Sequence, residues 1–190
     1  NTDQKQPQTP TTTKTTTQTD KMVSVGISPQ EVAFQKETLE KHLNNYLSEL
    51  KEQGYTGSEE EAKKKFNEQV AELYKNQGNE YLKNNRYDTA VDLYNAAIAL
   101  VPSAVYYSNL AAAYFNAKDY SACLTACNDA IRVDPSFAKA YFRLGRVQRQ
   151  LNEFEEALKS YDTSLKLDPK DENVRKARDL LQKEIEQLNK

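Results

Sequence analysis

The chain has 190 residues, of which 28% are charged and 38% hydrophobic, and its formal net charge is −2. That length suits one domain with an appendage, and the charge balance argues against the strongly basic face that general nucleic-acid binding needs. The mean hydropathy is −0.86, no apolar run approaches the roughly 20 residues that span a bilayer, and the N-terminal stretch lacks the apolar core of a secretory signal. A membrane is therefore not an expected partner.

Only five glycines and six prolines, among abundant Ala, Leu, Glu and Lys, predict an all-α chain. In chain order, residues 1–27 are expected to be a disordered Thr- and Gln-rich tail. Positions 1–21 hold no aromatic or large aliphatic side chain, so little burial is available to offset the entropy of ordering. Ser28, Pro29 and Glu31 read as the start of a helix, with Ser as N-cap, Pro at the first position and Glu closing a capping box. Leu39, Leu43, Tyr46, Leu47 and Leu50 follow as one helical stripe, and Gly54 suits the C-terminal cap. His42 lies beside this stripe without a partner and reads as a half-buried packing residue rather than a ligand. Residues 28–70 form the expected N-terminal helical extension.

Ser58 and Glu61 make a second capping box. Ala62, Phe66, Val70, Leu73, Tyr74 and Tyr81 then keep one stripe running, which predicts a single helix over about 58–84, antiparallel to the one before it. The charged run of Glu59, Glu60, Glu61 and Lys63, Lys64, Lys65 reads as a solvated face with i,i+4 pairing.

Beyond this point the sequence repeats. Pro102, Pro135 and Pro169 are separated by 33 and 34 residues, and so are Gly78, Ala111 and Gly145. Ala90, Cys123 and Ala157 keep the same spacing, as do Tyr94, Cys127 and Tyr161, and each unit places Tyr87, Tyr120 or Phe154 before its second helix. The physical reading is a pair of antiparallel helices per unit, small residues where the two cross, large ones filling the gaps, and proline ending the second helix. Cys123 and Cys127 fall at core positions of one helix. Their parallel Cα–Cβ bonds give poor disulfide geometry, and His42 is too remote to complete a zinc site, so both read as buried thiols. Asp171 can cap a last helix whose stripe is Val174, Ala177, Leu181, Ile185 and Leu188, suited to closing a stack over 171–190.

The first helices of the units carry chemistry. Lys75 and Asn79, then Asn109, then Lys139 and Arg143 lie on helices that sit side by side when the units are aligned as repeats, so two ammonium groups, a guanidinium and two amides converge on one groove fit to bind carboxylates. Charge-assisted hydrogen bonds of roughly 1.5–3 kcal/mol each, less the cost of ordering an extended peptide, lead to an affinity near 8 kcal/mol, in the micromolar range. The plain alternative is a set of solvated surface cations. Arg146 and Arg149 extend the same helix and add positive field, which would steer acidic peptides and favour extra Asp or Glu upstream. The competing reading pairs both with Glu153, Glu155 or Glu156.

The repeat pattern over about 71–170 resembles the tetratricopeptide repeat family, which implies a right-handed helical solenoid of three repeats with a C-terminal capping helix. The groove residues resemble the two-carboxylate clamp of co-chaperone tetratricopeptide domains, and the layout is similar to the small glutamine-rich and Hsp-organising co-chaperones. That resemblance implies an adaptor for the C-terminal Glu-Glu-Val-Asp tail of the cytosolic seventy- and ninety-kilodalton heat-shock chaperones. By it, Lys75, Asn79 and Asn109 hold the terminal carboxylate with help from Lys139. Lys139 and Arg143 hold upstream carboxylates, and Leu82, Ala112 and Phe115 line an apolar pocket. The alternative is a scaffold of the same fold that takes another peptide or forms a homodimer through the N-terminal helix. No phosphate loop, metal set or nucleophile with a histidine partner is present, so the chain is expected to be no enzyme and to need no cofactor, and to act in the cytoplasm.

Overall fold

The computed structural model describes residues 36–188, which hold eight helices and no strand. The expected tail over 1–27, the helix start at Ser28 and residues 189–190 lie outside the described residues. In order the helices are α1 (Lys36–Glu52), α2 (Glu59–Lys83), α3 (Tyr87–Leu100), α4 (Ala104–Asn116), α5 (Tyr120–Val133), α6 (Ala138–Gln150), α7 (Phe154–Leu167) and α8 (Glu172–Leu188). Each packs chiefly on its neighbours in sequence, with α4 also meeting α2 and α6, the arrangement of a stacked solenoid.

The helix ends show why the sequence folds this way. Ser58 accepts from the Glu61 N–H at 3.2 Å and Glu61 accepts from the Ser58 N–H at 3.0 Å, the reciprocal capping box that starts α2. Inside each repeat the first helix ends with a residue of positive φ: Asn85 at 59°, Lys118 at 63° and Asn152 at 61°. There the backbone closes a Schellman motif three times. The N–H groups of Arg86, Asp119 and Glu153 reach back to the carbonyls of Tyr81, Tyr114 and Gln148 at 2.9, 3.0 and 2.9 Å. The second helices stop at Val101, Asp134 and Asp168, all outside the helical region and the first two extended, because the proline that follows each disfavours helical backbone in the residue before it.

The repeat's small and large positions meet as expected. Ala90, Tyr94, Cys123, Cys127, Ala157 and Tyr161 are all buried. The cysteines are free thiols, so they serve the core. Gly78 faces the Tyr94 ring and Gly145 faces the Tyr161 ring, whereas the second repeat pairs Ala111 with the smaller Cys127.

α1 lies against the first half of α2. Tyr46 packs on Phe66 with ring centroids 5.4 Å apart, and Leu39, Leu43, Leu47 and Leu50 surround that contact. His42 is half-buried. The expected division at 70/71 falls inside α2, so the extension and the first repeat share one rigid rod. At the other end Asp171 accepts from the Asn173 and Val174 N–H groups at 2.9 and 3.2 Å. Val174, Ala177, Leu181 and Ile185 pack onto α6 and α7. Leu188 departs from its expected place in that stripe: it is 67% exposed, because the helix runs past the surface it covers.

Candidate functional site

The first helices α2, α4 and α6 line the concave side. Asn79 and Leu82 from α2, Asn109 from α4 and Arg143 from α6 border one open cleft, with Asn76, Gln77, Glu80 and Lys83 at its rim. Lys75 stands one turn before Asn79, and Lys139 one turn before Arg143.

A polar network fixes the amides. The hydroxyl of Tyr94 donates to Asn79 Oδ1 at 2.7 Å, and Asn109 Nδ2 donates to the same oxygen at 3.3 Å. With that acceptor shared by Tyr94 and Asn109, the Asn79 NH2 is left as the free donor of the side chain. Burial pushes the Tyr94 phenol up to about 12, which keeps it a donor at any physiological pH.

The cations are held differently. Arg143 is half-buried and its Nε donates to the Ser108 hydroxyl at 2.8 Å. Burial pulls its pKa down, the signature of a cation desolvated without a counter-charge. Among the described residues no carboxylate forms an ion pair with Arg143, Lys139 or Arg146. Lys139 is exposed. Lys75 is not free: Glu72, three residues earlier, pairs with it, and the second oxygen of Glu72 accepts from the Tyr106 hydroxyl at 3.4 Å.

Ala112, Phe115, Arg143 and Arg146 border a second, adjoining cavity of about 10 Å³ with Ala111 and Cys123, room for no more than one water. The Arg146 guanidinium lies 4.3 Å from the centre of the Phe115 ring. Of the residues expected to line an apolar pocket, Ala112 and Phe115 thus border this small cavity and Leu82 borders the open cleft.

The last two expected cations separate. Neither pairs with Glu153, Glu155 or Glu156. Arg149 instead binds Glu184 of α8, its Nε at 2.9 Å and its Nη2 at 2.8 Å, so its charge is matched locally. Sequence reading missed Tyr94, Ser108 and Glu72 as members of the site. Tyr94 and Ser108 lie 15 and 35 residues from their partners. Glu72 lies on the helix carrying Lys75, at a spacing that could have flagged it.

A stack of helical hairpins with an amide- and cation-lined cleft defines a helical-repeat solenoid. Family models described as tetratricopeptide repeat match residues 71–103, 104–137 and 138–171. The chain belongs to the tetratricopeptide repeat family.

Among curated proteins it is similar to the Hsp70-Hsp90 organizing protein of Triticum aestivum, 33% identical over 158 residues, covering 83% of this chain and 27% of that protein. It is also similar to serine/threonine-protein phosphatase 5 of Rattus norvegicus, 36% identical over 106 residues, covering 55% of this chain and 21% of the phosphatase. The chain therefore spans about a quarter of these relatives, and the phosphatase's name carries no catalytic role to it. Among solved structures, the first TPR of Spaghetti (RPAP3), bound to the HSP90 peptide SRMEEVD, superposes with a TM-score of 0.59 at 32% identity, covering 62% of this chain and 94% of that one.

Proposed function

We propose that this chain is a co-chaperone adaptor that binds the acidic C-terminal Glu-Glu-Val-Asp tail of cytoplasmic heat-shock chaperones of the seventy- and ninety-kilodalton classes. The observation that carries this reading is the meeting of Asn79, Asn109 and Arg143 in one cleft, the last half-buried with no carboxylate partner among the described residues. A buried cation without a counter-charge costs stability, and an incoming carboxylate offsets that cost. Lys75, Asn79 and Asn109 take the terminal carboxylate. Lys139 and Arg143 take the carboxylates upstream, and Leu82 supplies apolar contact beside them. The names of the relatives, and the acidic peptide carried by the superposing domain, support the same ligand class.

In this reading the repeats over 71–170 form the binding unit, the flanking helices Lys36–Glu52 and Glu172–Leu188 cover its two ends, and no catalytic step or cofactor is involved. The test is calorimetric titration of the chain with peptides from both chaperone classes, each as the free acid and as the C-terminal amide. The free acids are expected to bind in the micromolar range and the amides at least tenfold more weakly. Equal binding of acid and amide would contradict the clamp.

A further inference from the structure

Helix α6 carries two cations beyond the clamp, and the structure treats them oppositely. Arg149 is engaged by Glu184. Arg146, one turn earlier, forms no ion pair with any carboxylate among the described residues. Its guanidinium is laid over Phe115 at 4.3 Å and lies 6.0 Å from the centre of Phe142. Phe115 is itself braced by Tyr120, with ring centroids 5.8 Å apart. A guanidinium ordered on a ring keeps its N–H edge available and loses less rotamer freedom when it pairs with a carboxylate. The cavity beneath it, about 10 Å³, is too small for an aliphatic side chain. Arg143 borders the same cavity, so two uncompensated positive charges stand side by side, a repulsion that an anion at the rim relieves.

We infer that Arg146 is a specificity-determining residue of the groove: it selects a carboxylate side chain in the peptide segment upstream of the clamped C-terminus, where Arg149 contributes nothing. This rests on the clamp reading and adds to it the sequence preference of this particular chain. An aliphatic anchor finds only about 10 Å³ of free space beside Phe115. An Asp or Glu finds an ordered, unpaired guanidinium at its edge.

The experiment titrates the full chain with two peptides that share a free Glu-Glu-Val-Asp terminus, one preceded by two acidic residues and one by two glutamines. Wild type is expected to favour the acidic peptide about fivefold, the upper end of what a partly exposed charge pair yields. Arg146→Ala and Arg146→Gln are expected to bring the ratio of the two affinities to about one, through loss on the acidic peptide. Arg149→Ala is expected to keep the wild-type ratio. A ratio unchanged in both Arg146 variants, or one abolished by Arg149→Ala, overturns the inference while leaving the clamp standing. Failure of wild type to bind either peptide overturns both. Binding of the glutamine peptide also reports that each variant is folded.

Discussion

The hydroxyl of Tyr94, a core residue of the first repeat, donates to the side-chain oxygen of Asn79 in the groove at 2.7 Å. Core packing and ligand geometry are therefore one structure here. A Cβ placed on Gly78 would stand 2.7 Å from Tyr94 Cε1, so the ring reaches Asn79 only because residue 78 has no side chain. Gly78→Ala is expected to cost about 1–3 kcal/mol of stability by overpacking and to weaken peptide binding by moving Tyr94. The second repeat has Ala111 facing Cys127, and a double-mutant cycle of Gly78→Ala with Tyr94→Cys should show strong favourable coupling in thermal or urea unfolding.

Glu72 occupies Lys75 in the free protein and so competes with an incoming carboxylate. Glu72→Gln is expected to tighten binding of a free-acid peptide by about two- to threefold, the size of an exposed ion pair. The gain should shrink at high salt. Weaker binding by Glu72→Gln would show that the carboxylate organises Lys75 rather than competing for it.

Alkaline pH should unfold this chain through its buried phenols. Burial raises the pKa of Tyr94 to about 12 and also raises those of Tyr74, Tyr106 and Tyr161. A folded pKa above the ordinary value near 10 means that the neutral phenol is favoured in the fold. The contribution is full below about pH 10 and is lost as pH rises through about 12, amounting to at most about 3 kcal/mol for Tyr94. Stability measured by urea unfolding should fall between these limits, and less steeply in Tyr94→Phe.

Tyr46 packs on Phe66, a side chain buried in the cluster that joins α1 to the first repeat. Tyr46→Ala is expected to cost about 2–4 kcal/mol, as large-to-small core changes do. Peptide affinity should stay unchanged, since this contact lies at the far end of α2 from Asn79. A large loss of affinity would mean that α1 shapes the groove.

Much of this was legible before the structure. The 33- and 34-residue spacings of the small, aromatic and proline positions follow directly from helices that cross at fixed points, so they betray the fold. Residue type and register alone bring Asn79, Asn109 and Arg143 together. What stayed hidden lies between elements distant in sequence. Arg149 meets Glu184 35 residues away, whereas sequence reading looked to glutamates a few residues on. Arg146 sits on Phe115, so a position expected to be apolar is half cationic. Leu188 keeps the stripe's period but outruns the surface beneath it, because periodicity records a face and not where its partner ends.

The central claim is that cations of α6 hold a peptide's carboxylates. The most direct measurement is calorimetric titration of a free-acid peptide ending in Glu-Glu-Val-Asp into wild type, Lys139→Ala and Arg143→Ala, with melting curves recorded alongside. Each variant is expected to keep its fold and to lose roughly 2–4 kcal/mol of binding free energy, the cost of leaving a carboxylate without its partner in the complex. Affinity within about twofold of wild type in both folded variants would contradict the clamp.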